Sequence, residues 1–414
     1  MKPRVFNLKL ISIYCLIVNS VFMSGCSLLS VNSVKGKFTG LAERYKDSAN
    51  NKAIDSLSVL IVHGIGVHPN NYSYRLQTGI AAKLGMEENK ERHEEFDILL
   101  NDYKIAKLIR SEFQSKENKK LSFVEMNWSY GTTPIKEHFL NVDPNNKFLE
   151  KGELEKNRLK LNSFGKIMVN EKFSDAIIYS GSFKTHLQYA VSQAICWTLT
   201  KQESTKANNF KCDFNHNISN NDIVLISASL GSAMVFDTVT KYQPTSLSEE
   251  KSLSEEKLKK FNDSMSEFAA KTSHIFMMAN QLPLIGLTEL GEPQGSKWPE
   301  GYDQDLCDYT KVSGASNSLS RFVKKRTESF NKLGIKKIPE LQIVAFNDPN
   351  DLLTYEITGE YKEHCKSVNF VNATVTNASI GYFFVLANPV SAHVDFDKND
   401  EFFDLVVNGN PKGH

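Results

Sequence analysis

Apolar and polar positions along this chain fall into short, dense apolar runs separated by longer segments with helical spacing. The run SVLIV at Ser58–Val62 is continuous and β-branched, the pattern of a strand covered on both faces. Similar runs predict strands near Ser122–Trp128 (SFVEMNW), Asp175–Tyr179 (DAIIY), Ile223–Ile226 (IVLI), His274–Ala279 (HIFMMA), Leu341–Phe346 (LQIVAF) and Gly381–Leu386 (GYFFVL). Between them His186–Leu199, Ser232–Lys241 and Leu319–Lys332 read as helices. Strands alternating with helices in this way predict an α/β fold with a mostly parallel, doubly covered sheet.

Two stretches interrupt the alternation. Residues 134–174 are charged and irregular and read as an insertion that forms part of a cap. Residues 245–272 read as a second insertion. It opens on the tandem hexapeptide SLSEEK-SLSEEK at 246–257, whose charge density predicts a solvated surface helix.

At the N-terminus, Lys2, Arg4 and Lys9 precede an apolar stretch from about Leu10 to Met23, the layout of an export signal over residues 1–25. It ends in Met23-Ser24-Gly25-Cys26, which resembles a bacterial lipobox and implies lipidation of Cys26. Ser27, in place of an acidic residue, then implies retention at the outer membrane of a Gram-negative envelope. Residues 26–56 are polar and read as a tether, leaving 57–414 as the folded body.

Composition adds bounds. The chain has 414 residues, 41% hydrophobic and 23% charged, with a formal net charge of +1. That suffices for a large core, and the near-neutral balance lacks the basic footprint of a nucleic-acid binder. Export makes disulfides the expectation for Cys196, Cys212, Cys307 and Cys365, Cys15 belonging to the signal. Of three possible pairings, the nearest-neighbour set is Cys196–Cys212 with Cys307–Cys365. No cysteine or histidine spacing suggests zinc, and no metal or organic cofactor is expected.

The candidate chemistry centres on IVLISASLGSAMVF at 223–236. Small residues around Ser229 suit a very tight turn between a buried strand and a helix, which would expose the serine at its apex. Taken alone, such a stretch is equally an ordinary strand–helix junction. In a serine-nucleophile α/β enzyme the acid and then the histidine follow in the chain. Asp348 and Asp351 compete in the loop after LQIVAF. Asp351 lies deeper, with room to reach a histidine, whereas Asp348 precedes Pro349 and suits a turn-forming role. His393 follows the last predicted strand. The set is Ser229, Asp351 and His393. Oxyanion donors would be the N–H of Leu230 and that of Gly64 or Ile65 in HGIG at 63–66, a stretch that also suits a plain strand-end turn. His63 reads as an orienting or packed residue.

HGIG, SASLGS, the aspartate loop and AHVDF, in this order, resemble an α/β-hydrolase over roughly residues 57–400. HIFMMANQLPLIGL is similar to a segment of lipase-like members. The DLLTY run from Asp351 is similar to the acid-bearing run of DDHD-type phospholipases, which separately favours Asp351. Ser227 departs from the usual glycine, and Asn280-Gln281 from the usual Gly-Ser. The resemblance implies a membrane-tethered serine hydrolase acting on carboxylic esters, with a lipid or acyl ester as substrate. Leu282, Leu284 and Leu352 would line an acyl pocket or belong to the core. Thioesterases and acyltransferases would use the same triad. A binding or scaffolding lipoprotein that keeps the fold without turnover is the competing class.

Overall fold

The computed structural model describes residues 32–46, 53–200, 202, 211–247, 253–289, 318–357, 367–377 and 389–413. The predicted strand at 381–386, Cys26, and the Cys307–Cys365 pairing lie outside the described residues.

The strands are β1 (Ser33–Lys35), β2 (Phe38–Thr39), β3 (Ser56–Val62), β4 (Met86–Glu88), β5 (Glu94–Leu100), β6 (Tyr103–Ser115) and β7 (Lys120–Asn127). They continue as β8 (Val142–Asp143), β9 (Leu149–Glu150), β10 (Asp222–Ala228), β11 (Thr272–Met278), β12 (Leu341–Asn347), β13 (Val368–Thr374) and β14 (Gly409–Asn410). Ten of them form one sheet in the order β1-β13-β12-β11-β10-β3-β7-β6-β4, with β5 also on β6. Its centre, from β13 to β7, is parallel. β1 at one end and β6, β4 and β5 at the other are antiparallel.

The continuous apolar runs are explained by coverage of both faces. Along β3, Leu60 and Val62 enter one core with helices Lys184–Thr200, Leu230–Lys241, Glu255–Lys271 and Ser318–Lys332. Leu57, Val59 and Ile61 enter the other, against helices Tyr74–Lys83 and Asp400–Asn408. A strand with no wet face has no reason to alternate.

Four expectations change. DAIIY is helical, within Ser174–Ser180, because a short apolar run of this length does not by itself separate strand from buried helix. Residues 245–272 are less an insertion than the crossover joining adjacent parallel strands β10 and β11. Helix Glu255–Lys271 buries Phe261, Met265, Phe268 and Ala269, and only its outer side is solvated. The expected tether is in part built into the body: β1 pairs with β13, β2 pairs with β14, and Leu41 is fully buried. Residues 134–174, finally, are largely helical with a small β8–β9 hairpin. The Cys196–Cys212 disulfide is present. It ties the end of helix Lys184–Thr200 to the lead-in of β10, a closure of this size contributing about 3 kcal/mol.

Candidate active site

β10 ends at Ser229, which has φ 51° and ψ −124°. A non-glycine residue there carries about 1–3 kcal/mol of strain and persists only when its surroundings over-determine it. Here they do. Ser229 N–H donates to Met278 O at 2.9 Å, and Ser229 O accepts from Ser232 N–H at 3.2 Å. Two glycines make room for the turn. A Cβ on Gly231 would lie 2.5 Å from His63 O, and one on Gly64 would lie 2.7 Å from Ser229 Cβ. Ser227, where related motifs have glycine, bonds its hydroxyl to Ser232 Oγ at 2.8 Å beneath the turn.

Asp351 arrives from the loop after β12, and His393 from a short helix, Pro389–Val394. His393 Nδ1–H donates to Asp351 Oδ2 at 2.8 Å, while Asp351 Oδ1 accepts from Leu353 N–H at 2.9 Å. Asp348 does not meet the histidine. Its Oδ1 accepts from Asn350 N–H at 2.8 Å, and its Oδ2 from Asn377 N–H at 2.5 Å. Asn377 Nδ2 in turn donates to Ala392 O at 3.2 Å. The nearer aspartate is thus the loop's brace, one residue removed from the histidine. Asp351 lies deeper in the loop, and there it reaches the imidazole.

Ser229 and His393 both line a cavity of about 330 Å³ together with His63, Gly64 and Ile65. Ser229 is 1% exposed and His393 8%. Ser229 Oγ and His393 Nε2 are buried with no hydrogen-bond partner among the described residues. A second cavity of about 440 Å³ has Ile65, Leu230, Gln281, Leu284 and Leu353 in its wall. Of the three leucines considered for an acyl pocket, Leu284 lines this cavity, Leu282 is buried in the core, and Leu352 is 77% exposed.

The loop after β3 is held on every side. Trp128 N–H lies 3.1 Å from His63 Nε2, so that nitrogen accepts and Nδ1 carries the proton, which goes to Gly64 O at 2.7 Å. Burial, aided by His68 nearby, holds the His63 imidazole well below the usual histidine range, so it is neutral. Trp128 Nε1–H donates to His63 O at 2.9 Å, and Gly66 N–H to Asp175 Oδ2 at 2.7 Å. Asp175 is fully buried against Lys136 Nζ at 2.8 Å; burial raises its carboxyl, which the ammonium and the Gly66 N–H partly offset. In a trans peptide C=O and N–H point opposite ways. Fixing Gly64 O on His63 therefore turns Ile65 N–H away from that ring. The described residues give Ile65 N–H no acceptor, and Leu230 N–H, first in its helix, has none within the helix.

Sequence reasoning missed Trp128, Asp175 and Lys136. The first ended a predicted strand, and the other two lay in stretches read as strand and insertion. Among the described residues no cluster of metal-ligating side chains occurs, and no helix is long and apolar enough to cross a membrane. No protein-family model matches the chain, and no curated protein matches it.

Proposed function

We propose that this protein is a lipid-anchored serine hydrolase of the α/β-hydrolase fold, cleaving carboxylic esters through an acyl-enzyme. The observation that carries the reading is a serine in a strained strand–helix turn, its buried Oγ unpartnered, on the same cavity as a histidine whose other ring nitrogen is held by a buried aspartate. His393 Nε2 takes the proton as Ser229 Oγ attacks the ester carbonyl. Asp351 fixes the tautomer and stabilises the imidazolium. The N–H groups of Leu230 and Ile65 hold the oxyanion, the orientation of the Gly64–Ile65 peptide favouring Ile65 over Gly64. His393 then protonates the leaving alcohol, and water releases the acyl group in a second round. A lipid or acyl ester is the substrate class that suits a membrane anchor at Cys26 of an outer-membrane protein.

The competing reading, a binding or scaffolding lipoprotein, draws on one observation: no hydrogen bond joins Ser229 Oγ to His393 Nε2. Catalytic hydrogen bonds in ligand-free enzymes are often long and tighten in the complex, so the hydrolase takes precedence. Labelling by a fluorophosphonate probe separates the two. Covalent labelling that Ser229→Ala and His393→Ala abolish supports the hydrolase. A folded wild-type protein that stays unlabelled at high probe concentration supports the binding module.

A further inference from the structure

The parallel strands carry Ser229, Asp351 and the 63–68 loop at their carboxyl ends, and β1 runs the other way. Ser33 pairs with Thr374 and Lys35 with Asn372, so the chain reaches β1 from the catalytic edge of the sheet. Asn32 Oδ1 accepts from Thr376 N–H at 3.3 Å. The next residue, Asn377, is the one bonded to Ala392 O beside His393. Only five residues lie between Cys26 and Asn32, and a chain of six residue steps spans at most about 20 Å. A lipid on Cys26 is therefore held within about 20 Å of Asn32, at the edge of the sheet that carries Ser229 and Asp351.

The same edge carries large exposed apolar side chains. Phe139, Leu159, Leu161 and Ile177 project from the segment after β7, Leu287 from the segment after β11 and Leu352 from the loop after β12, each between 55% and 80% exposed. Two exposed apolar residues, Leu333 and Ile335, lie at the opposite edge, before β12. Large exposed apolar side chains are thus more numerous on this edge than on the opposite one, and this edge has the more apolar surface to bury. The short tether selects the occupant.

We propose that the lipid on Cys26 holds the carboxyl edge of the sheet against a bilayer and that the apolar side chains of that edge enter its interface, so that the site draws its ester from the membrane. This rests on the lipidation and hydrolase readings above. Interfacial binding of this kind scales with the apolar area buried at the headgroup boundary.

The test uses the full lipidated protein in vesicles of phosphatidylcholine and phosphatidylglycerol, followed by hydrogen exchange. Peptides covering 152–180 and 348–357 should be protected. A variant with a 30-residue Gly/Ser spacer inserted between Ser30 and Val31 should lose part of that protection while remaining vesicle-bound. The triple variant Leu159→Asp, Leu161→Asp and Ile177→Asp should lower turnover of a vesicle-resident ester by about tenfold or more, with hydrolysis of soluble p-nitrophenyl butyrate unchanged. Protection at 333–335 instead, no protection at either edge, or protection that grows with protein density on the vesicle, as a second copy would give, overturns the proposal. Exchange reports orientation without catalysis. A protected edge on an inert protein therefore counts against the hydrolase alone, and an active enzyme with a bare edge against this inference alone.

Discussion

In the loop His63–His68 the backbone is tied at three points: His63 O to Trp128, Gly64 O to the His63 ring, Gly66 N–H to Asp175. Across the same cavity, Ser229 Oγ and His393 Nε2 hold nothing. Leaving a buried polar atom unpaired costs about 1–3 kcal/mol, and native proteins do it sparingly. An orphan also occurs away from the cavity, at Arg44 Nε beside Asp222, where β10 begins at the opposite edge of the sheet. An orphan by itself therefore identifies nothing. What sets the pair apart is its setting, a strained turn for one member and an aspartate-held ring for the other, beside a loop in which the spare N–H groups face no competitor. Under the hydrolase proposal, the scaffold is satisfied while the two atoms that would react are left unpaired.

Removing the reacting atoms gives the largest expected effects. Ser229→Ala and His393→Ala should each lower ester turnover by at least about 10³-fold, and Asp351→Asn by about 10³–10⁴-fold, with folding intact. Asp348→Asn should stay within about tenfold in rate and instead lose about 1–2 kcal/mol of stability, because its partners are backbone N–H groups. Equal rate losses from the two aspartates, measured on one ester, would break the distinction between acid and brace. The scaffold side comes next. His63→Phe keeps an aromatic ring against Trp128 but releases Gly64 O, and kcat should fall about 10²-fold with KM little changed, the size of a lost oxyanion donor. A lower melting temperature with kcat intact would reduce His63 to packing.

Much of this site was legible because its chemistry is local. SASLGS, HGIG and Asp351 each follow an apolar run that forms a parallel strand, and the carboxyl ends of parallel strands converge whatever lies between them in sequence; His393, also after an apolar run, comes from the helix Pro389–Val394. The preference for Asp351 over Asp348 rested on their depth in one loop, on Pro349 after Asp348 and on the resemblance of the DLLTY run, and it is Asp351 that bonds His393. What was not legible was long-range or ambiguous in period. Asp175 reaches Gly66 from a helix whose DAIIY run read as a strand. Lys136 pairs with it from a segment that read as a charged, irregular insertion. The β1–β13 pairing is hidden because a three-residue strand, SVK, has too short a pattern to show a period.

Burial alone does not mark a site, as two histidines illustrate. His63 is in the catalytic loop and His274 at the far end of β11, with Nε2 on Thr39 O at 3.1 Å, and burial pushes both down, His274 to about 3. Below about pH 6.5 the unfolded chain takes up protons that these folded rings refuse. Their contribution is therefore full above that pH and falls as acid is added, for His274 by about 2 kcal/mol at pH 5. Glu125 acts in the opposite sense. Burial raises its carboxyl, so the native state gains relative to the unfolded chain as pH falls towards 4.5. Urea unfolding at pH 8 and pH 5 should show a drop about 2 kcal/mol smaller in His274→Gln than in the wild type, and a steeper drop in Glu125→Gln. Catalysis should be unaffected in His274→Gln. A parallel loss of kcat would mean that the far edge is coupled to the site.

The smallest effect expected concerns the departure from glycine beneath the nucleophile. Ser227 contributes its hydroxyl to Ser232 rather than to the cavity, and is fully buried. Glycine at this position frees a strand residue, at a cost of about 0.5–1 kcal/mol, and leaves the Ser232 hydroxyl unpaired. Ser227→Gly should therefore lose about 1–2 kcal/mol in denaturant unfolding and keep kcat within about threefold, since Ser229 is held independently through Met278 O and Gly64. A rise in kcat of tenfold or more in Ser227→Gly would change the comparison. It would mean that the hydrogen bond under the turn restrains the serine itself, so that scaffold and reacting atom are not separable at the one place where this sequence departs from the usual motif.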